Sequence, residues 1–303
     1  MLKGLISDTS STITVEIEKS LLVVVLDVNP MQRIVKQETK VLTQCLDSII
    51  VFANAHLMQK SNNELAIMTC DAYGSKFLYP DDRLTEVRQV DGQYEKFTLV
   101  ERTVRQRLQQ AINEMPTDKP QYVESLISGA LAIGLCYISR MEQEKGPGEK
   151  LNSRILVVTA SNDSASQYMN YMNIFFTAQK MGIILDVCSL DHELTLLEQG
   201  CDITGGNYLK IPQVAGLLQY LLWVFLPDPN IRSKLVLPPP VKVDYRAACF
   251  CHQELIDIGY VCSVCLSVFC KFSPICTTCH TVFKTPGPIP MKKKKKKNMD
   301  LVH

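Results

Sequence analysis

The chain has 303 residues and a formal net charge of +1, so its overall charge favours neither nucleic acid nor a membrane surface as a partner. Hydrophobic residues make up 46% of the sequence, which is enough for a sizeable buried core. The first 20 residues lack the apolar centre of a secretory signal, and no segment combines the length and apolarity of a membrane span. We therefore expect no membrane partner and a reducing compartment.

An apolar, β-branched run at residues 21–27 predicts a buried parallel strand that ends in Asp27. Further strand patterns occur at 64–70, 76–79, 154–159, 183–190 and 207–211. Amphipathic helix patterns alternate with them at 37–59, 95–115, 124–142, 167–180, 192–200 and 212–226. This alternation predicts an α/β fold in which a mostly parallel sheet carries helices on both faces.

The twelve cysteines fall into two groups. Five are scattered through apolar patterns and are expected to be small buried hydrophobes: Cys45, Cys70, Cys136, Cys188 and Cys201. The other seven lie between Cys249 and Cys279. Without a secretory signal, so dense a cluster is more typical of a metal site than of disulfide bonds.

Two Cys-x-x-Cys pairs dominate the cysteine cluster, Cys262 with Cys265 and Cys276 with Cys279. Two residues between thiolates allow both sulfurs to face one tetrahedral zinc ion, so the two pairs predict a closed four-thiolate site. Four protein ligands leave no position for a water molecule. We therefore expect one structural zinc per chain and no catalytic metal.

Five further residues of metal-binding type lie beside these pairs: Cys249, Cys251, His252, Cys270 and His280. Residues 249–252 do not form a Cys-x-x-Cys pair, so a second zinc of the RING cross-brace type fits their spacing poorly. We expect these residues to pack in the module, with Cys270 the strongest rival as a zinc ligand.

Composition divides the chain into five segments. We expect a poorly structured N-terminal segment at residues 1–20, an α/β domain at 21–226 and a proline-rich linker at 227–244. A four-cysteine zinc-finger module at 245–284 and a disordered, lysine-rich tail at 285–303 follow. The tail contains six successive lysines, which favour a solvated segment that supports nuclear import rather than tight DNA binding.

Five stretches of the chain closely resemble one family, the small von Willebrand factor A-like subunits of general transcription factor IIH (TFIIH). These stretches are residues 21–30, 167–178, 201–212, 217–227 and 241–279. The most specific motifs are 237–241 (LPPPV), 243–252 (VDYRAACFCH) and 259–279. The resemblance extends from residue 21 to about residue 283 and implies a von Willebrand A-like (Rossmann-like) domain followed by a four-cysteine zinc finger. Residues 1–20 show no resemblance to the family.

Von Willebrand A domains often bind a divalent cation where the first strand ends, through an Asp-x-Ser-x-Ser motif and oxygen ligands from later loops. Here the motif begins at Asp27 but has Met31 at its last position, and Ala160 stands where a later acid is expected. Ser125 could replace the usual threonine. One carboxylate with weak neutral ligands is a poor magnesium site, so we expect Asp27 to hydrogen-bond the neighbouring loop instead.

The resemblance implies a non-catalytic scaffold subunit of the TFIIH core complex, which acts in RNA polymerase II transcription initiation and nucleotide excision repair in the nucleus. Its main partner would be the larger von Willebrand A-like, zinc-bearing subunit, and its association with DNA would be indirect. The residues themselves agree with a non-enzyme, because the sequence has neither a phosphate-binding glycine loop after a strand nor a Gly-x-Ser-x-Gly elbow.

Two other function classes remain open at the level of the sequence. A RING-type ubiquitin ligase would need two zinc ions in a cross-brace. A cation-dependent adhesion-type binding module would need magnesium at Asp27. Zinc stoichiometry and magnesium binding therefore separate these alternatives from the scaffold.

Overall fold

A computed structural model describes residues 17–37, 40–80, 95–115, 124–146, 148–162, 164–239, 242–252 and 254–283. The chain divides between Tyr245 and Arg246 into an α/β unit and a C-terminal unit. The lysine run at 292–297 and residues 1–16 lie outside the described residues.

A six-stranded sheet forms the centre of the α/β unit, in the order β3-β2-β1-β4-β5-β6. The strands are β1 (Ile17–Asp27), β2 (Glu64–Cys70), β3 (Ser75–Tyr79), β4 (Glu149–Thr159), β5 (Ile184–Ser189) and β6 (Tyr208–Lys210). All neighbours pair in parallel except β2 and β3. The chain builds outward from β1 on one side and then crosses to β4, so the carboxyl end of β1 lies at the switch point where α/β folds place their sites.

Eight helices are described around this sheet: α1 (Arg33–Gln37), α2 (Lys40–Gln59), α3 (Glu95–Asn113), α4 (Ile127–Glu144), α5 (Tyr168–Met181), α6 (Thr195–Thr204), α7 (Leu217–Tyr220) and α8 (Pro229–Arg232). Alternate residues of β1 face opposite sides. Leu22, Val24 and Leu26 pack with α2, α3 and α7. Val23 faces α4, where Gly134 leaves room for its side chain at 3.6 Å from an ideal Cβ. The prediction of a mostly parallel α/β sheet is confirmed.

The largest differences between the predicted and the observed strand boundaries are those of β1 and β4. Both strands begin earlier than the apolar pattern indicates, because they pair with each other from Ile17 opposite Glu149 onward. Residues 17–20, predicted as poorly structured, therefore belong to β1. The linker likewise contains a short helix, α8, whose Arg232 is buried.

Helix α2 corrects the expectation that no segment is long and apolar enough for a membrane span. By length and composition alone α2 meets that test, and it is the one helix among the described residues that does. Its apolar face is buried in the core of the α/β unit, through residues such as Ile49, Phe52 and Ala53. A core helix of a globular protein has these properties.

Four of the five scattered cysteines are buried as predicted, whereas Cys136 is exposed on α4. Burial raises the pKa of the Cys45, Cys70, Cys188 and Cys201 thiols. A protonated, enclosed thiol is a poor nucleophile. These four cysteines are therefore packing residues.

The residues that are described in the C-terminal unit form four two-residue strands: β7 (Ala247–Ala248), β8 (Leu255–Ile256), β9 (Tyr260–Val261) and β10 (Val268–Phe269). They form two antiparallel pairs, β7 with β8 and β9 with β10. The buried cluster consists of Cys262, Phe269 and Cys276, with four more side chains packed against it. So small an apolar core needs further stabilisation, which a metal ion commonly supplies in modules of this size.

Candidate metal centre

The two Cys-x-x-Cys pairs occupy turns with the same hydrogen bonds. In the first turn the N–H of Cys262 donates to the carbonyl of Ser267 at 2.9 Å, and the N–H of Leu266 donates to the carbonyl of Cys262 at 3.0 Å. The second turn, Cys276–Thr281, repeats both bonds at the equivalent positions, each at 2.9 Å. This repeated pattern is typical of zinc knuckles, in which the backbone turns both thiols to the same side.

The residue after each knuckle has a left-handed backbone. Leu266 and His280 both have φ of 60° although neither is glycine. Such a conformation costs a non-glycine residue about 1–3 kcal/mol, so it persists only where other interactions fix it. A metal ion held by both thiols of each turn would provide that fixation.

The four sulfur atoms have the spacing of a zinc site. Cys262 Sγ lies 3.7 Å from Cys279 Sγ, and Cys265 Sγ lies 3.5 Å from Cys276 Sγ. All four ligand atoms lie within 4.8 Å of one another. Zinc–sulfur bonds of about 2.3 Å in a tetrahedron place the sulfurs about 3.8 Å apart. Since every cysteine in the chain is free, the predicted ligand set comes together as a pocket of thiols rather than as disulfides.

Two hydroxyl groups support this ligand set, and they were missed in the sequence. Ser267 Oγ lies 3.1 Å from Cys265 Sγ, and Thr281 Oγ1 lies 3.1 Å from Cys279 Sγ. The pKa of Cys265 is lowered to about 6, chiefly by the hydrogen bond from Ser267. The pKa of Cys279 is also lowered, chiefly by the hydrogen bond from Thr281. Zinc binds thiolates, so both hydroxyls favour the metal-binding form. The repeated spacing Cys-x-x-Cys-x-Ser/Thr was the available signal.

Four of the five further residues of metal-binding type, all except His280, also come together. Cys249 is buried, Cys270 is half-buried, and Cys251 and His252 are exposed. Their ligand atoms all lie within 4.8 Å of one another. The prediction that these residues serve in packing is wrong for Cys251 and His252, because an exposed side chain contributes little to a core.

Asp27 lies at the carboxyl end of β1, where its side chain is 3% exposed. Its Oδ2 accepts hydrogen bonds from Thr159 Oγ1 at 2.7 Å and from Ser161 Oγ at 2.6 Å. Its Oδ1 accepts bonds from Ser125 Oγ at 2.8 Å and from the N–H of Asn29 at 3.2 Å. The prediction that Asp27 hydrogen-bonds the neighbouring loop is confirmed, and Ser125 lies beside Asp27 as expected.

The hydrogen bonds of Asp27 join several loops at the strand end. Burial raises the pKa of Asp27, while bonds from Ser161, Thr159 and Ser125 oppose that rise. Ala160 is buried and adds no oxygen, and the N–H of Met31 bonds to the side chain of Asn29. Three loops, after β1, before α4 and after β4, are therefore tied together by one carboxylate.

Comparison with known proteins identifies relatives along nearly the whole chain. The family model described as transcription factor Tfb4 matches residues 19–280. The General transcription and DNA repair factor IIH subunit tfb4 of Schizosaccharomyces pombe is 39% identical over 281 residues, which are 91% of each chain. The General transcription factor IIH subunit 3 of Dictyostelium discoideum is 38% identical over 252 residues, which cover 78% of this chain and 67% of that protein.

A solved structure agrees with the α/β unit. The crystal structure of the TFIIH p34 N-terminal domain superposes with a TM-score of 0.57 at 28% identity, covering 68% of this chain and 97% of that one. The α/β unit is von Willebrand A-like, as the sequence resemblance implies, with its antiparallel edge strand β3 beside β2. Since the family match includes nearly all of this unit and both Cys-x-x-Cys turns, the chain belongs to the transcription factor Tfb4 family.

Proposed function

We propose that this chain is a non-catalytic scaffold subunit of the TFIIH core complex, acting in RNA polymerase II transcription initiation and nucleotide excision repair. The observation that carries the proposal is the match of 91% of the chain to a relative named as a TFIIH subunit. Because the match covers 91% of both chains, we infer that both have the same domain arrangement. The corresponding location is the nucleus.

The exposed apolar surface of the C-terminal unit supports a role in protein–protein contact. Ile258 is 86% exposed, Leu266 is 71% exposed and Val282 is 69% exposed. Large apolar side chains concentrated on a small module are typical of interaction sites. The partner we propose is the larger von Willebrand A-like, zinc-bearing subunit of the complex, with DNA reached only indirectly through the assembly.

The strand-end site supports a non-enzymatic role for the α/β unit. Both carboxylate oxygens of Asp27 already accept bonds from protein groups, and the buried thiols described above are held in their protonated form. Neither group is poised as a nucleophile or as a general base. The α/β unit would then offer its helix faces and loops to partners.

The four-cysteine site would hold a structural zinc ion through Cys262, Cys265, Cys276 and Cys279. Four thiolates close the tetrahedral shell, so the ion would supply folding energy and have no open position for a substrate. The chain's own contribution is the pair of knuckles, which orient the sulfurs, and the two hydroxyls that favour the thiolate form.

Affinity isolation tests the scaffold proposal. The full chain, tagged and isolated from nuclear extract, should co-purify with the other TFIIH core subunits in stoichiometric amount. A matched Cys262→Ser/Cys276→Ser variant should recover less of the larger zinc-bearing subunit, whereas Cys136→Ser, which changes an exposed cysteine of the α/β unit, should recover wild-type amounts. Recovery of the wild-type chain without any TFIIH subunit would reject the proposal.

A further inference from the structure

We infer that Cys249, Cys251, His252 and Cys270 bind a second structural zinc ion, so that the chain carries two. This site is separate from the four-cysteine site and uses none of its ligands. It raises the zinc content from the one ion that the Cys-x-x-Cys pattern predicts.

The first argument is the backbone of the turn that begins at Cys249. The N–H of Cys249 donates to the carbonyl of Glu254, five residues later, at 2.9 Å. Cys262 and Cys276 make the same bond to the residue five positions later. In all three turns a metal-binding side chain follows the first cysteine by three residues, and here that side chain is His252. The turn is therefore a Cys-x-x-His knuckle, which a search for Cys-x-x-Cys pairs overlooks.

The second argument is the distance between the ligand atoms. Cys251 Sγ lies 3.4 Å from Cys270 Sγ. The Nδ1 atom of His252 lies 3.2 Å from Cys270 Sγ and 3.9 Å from Cys249 Sγ. A tetrahedral zinc ion with bonds of about 2.3 Å to sulfur and about 2.0–2.1 Å to nitrogen separates two sulfurs by about 3.8 Å and a sulfur from a nitrogen by about 3.6 Å. Three cysteines and one histidine are a standard structural zinc set.

The third argument is the way in which the fold joins the two parts of this site. The N–H of Phe250 donates to the carbonyl of Val268 at 2.8 Å, which fixes the first turn against β10. Phe250 and Phe269 also pack, with ring centroids 6.4 Å apart. Cys270 follows directly after β10 and so reaches the knuckle that holds Cys251. Ligands 19 residues apart are thus brought together by backbone and ring contacts.

Neither packing nor a disulfide accounts for this cluster. Cys251 and His252 are exposed, so apolar burial does not hold them in place. The sulfur atoms of Cys251 and Cys270 lie 3.4 Å apart, far beyond the disulfide bond length of about 2.0 Å. A hydrogen bond between two thiols would also be weak, because thiols are weak donors. A zinc ion at the centre of the four ligand atoms would stabilise the arrangement that the fold displays.

The ligands of the two sites alternate along the chain. The knuckle at 249–252 and Cys270 serve the second site, whereas the pairs at 262–265 and 276–279 serve the first. This is the order of a cross-brace, in which each ion joins segments on both sides of a ligand of the other ion. Two ions arranged in this way would stabilise the described part of the C-terminal unit, whose buried apolar cluster is small.

Zinc analysis of the full wild-type chain tests the inference without depending on a variant. The chain, purified without a histidine tag and dialysed against zinc-free buffer, should contain two zinc ions. X-ray absorption at the zinc edge should give about seven sulfur ligands for each nitrogen ligand, averaged over both sites. One zinc per chain, or an all-sulfur environment, would overturn the inference.

Variants then assign each ion. Cys251→Ser/Cys270→Ser should retain one ion in an all-sulfur environment, and His252→Cys should retain two ions and lose the nitrogen signal. Cys136→Ser should retain two ions with the wild-type signal. Two ions in Cys251→Ser/Cys270→Ser would overturn the second site. Full occupancy in Cys262→Ser/Cys276→Ser would instead reject the four-cysteine site, so the two proposals fail separately.

Discussion

Arg232 and Asp186 form a buried, bidentate ion pair in the α/β unit. Arg232 Nη1 donates to Asp186 Oδ1 at 2.7 Å, and Arg232 Nη2 donates to Asp186 Oδ2 at 2.5 Å. The two side chains are 7% and 2% exposed. Because Arg232 lies in α8 and Asp186 in β5, the pair fixes the start of the linker to the central sheet. The Nε of Arg232 also donates to the carbonyl of Pro227 at 3.1 Å.

We predict that Asp186→Ala lowers the free energy of unfolding of the α/β unit by about 3–5 kcal/mol, because it leaves a buried guanidinium without its carboxylate. Chemical denaturation followed by far-ultraviolet circular dichroism measures this change, since the described helices lie in the α/β unit. The matched control is Glu114→Ala, which breaks the exposed, solvent-screened ion pair with Lys76 at 2.6 Å and should leave the free energy of unfolding nearly unchanged. Equal costs for the two variants would contradict the prediction.

A second buried arginine, Arg154, lies beside the buried side chain of His56. Arg154 is 2% exposed and donates to the carbonyls of Phe225, Leu226 and Pro227 at 2.6, 3.0 and 3.2 Å. Its Nη2 also faces His56 Nδ1 at 3.5 Å. An arginine only donates, so His56 must carry its proton on Nε2, which lies 3.2 Å from the carbonyl of Glu64.

Burial, followed by the charge of Arg154, lowers the pKa of His56 from 6.5 to about 4. In the unfolded chain this histidine takes up a proton below pH 6.5, while in the folded chain it stays neutral until about pH 4. Acid therefore favours the unfolded state, and stability falls as the pH drops from 6.5 to about 4. We predict that His56→Gln removes up to about 3 kcal/mol of this fall. Urea unfolding at several pH values measures it, and identical slopes in both proteins would contradict it.

At the strand end, we predict that Asp27 binds no divalent cation. Thr159, Ser161 and Ser125 already donate to its two oxygens, and Met31 and Ala160 offer no oxygen side chain. Calorimetric titration of magnesium and manganese into the full chain should give no saturable heat at millimolar concentrations. Binding that is present in the wild type and disappears in Asp27→Ala would refute this prediction and favour the cation-dependent binding module.

The hydroxyls beside the four-cysteine site should control how strongly protons compete with zinc. Ser267→Ala and Thr281→Val remove bonds that lower the pKa of Cys265 and Cys279, so the thiols become harder to ionise. We predict that these variants release zinc at a higher pH, with affinity at neutral pH reduced about 10–100-fold. A chromophoric chelator measures the release. Ser263→Ala, at an exposed position of the same knuckle, is the control and should behave as the wild type.

The lysine run at 292–297 leads to a prediction about transport. Replacing the six lysines with glutamine should shift the free, tagged chain from nucleus to cytoplasm, because a basic run of this kind is read as an import signal. Microscopy of cells in which assembly of the partner subunits is blocked measures the shift. Wild-type nuclear levels of the variant under those conditions would exclude the import role.

Two zinc ions would not by themselves make the chain a ubiquitin ligase. A cross-brace fixes the fold of a module, whereas ligase activity requires ubiquitin transfer from a charged conjugating enzyme. The zinc stoichiometry alone therefore cannot separate the scaffold from the ligase alternative, contrary to the expectation from the sequence. A ubiquitin-transfer assay with the two-zinc chain separates them, and we expect no transfer.

The sequence by itself determined the features that depend on local patterns. The alternation of β-branched runs with amphipathic helices predicted the parallel sheet, and strand β2 has the predicted bounds Glu64–Cys70. The pairs Cys262–Cys265 and Cys276–Cys279 predicted one ligand set, because two residues between thiols are enough to define a knuckle. Both signals are contained within a few consecutive residues.

Only the tertiary structure decided the features that join distant segments. Arg154 meets carbonyls 71 to 73 residues away, and the hydroxyls on Asp27 come from residues 98 to 134 positions later. His252 and Cys270 have no common motif, yet a backbone bond to β10 places them 3.2 Å apart. Contacts of this kind depend on how the sheet and the small strands are assembled, and no local spacing records that assembly.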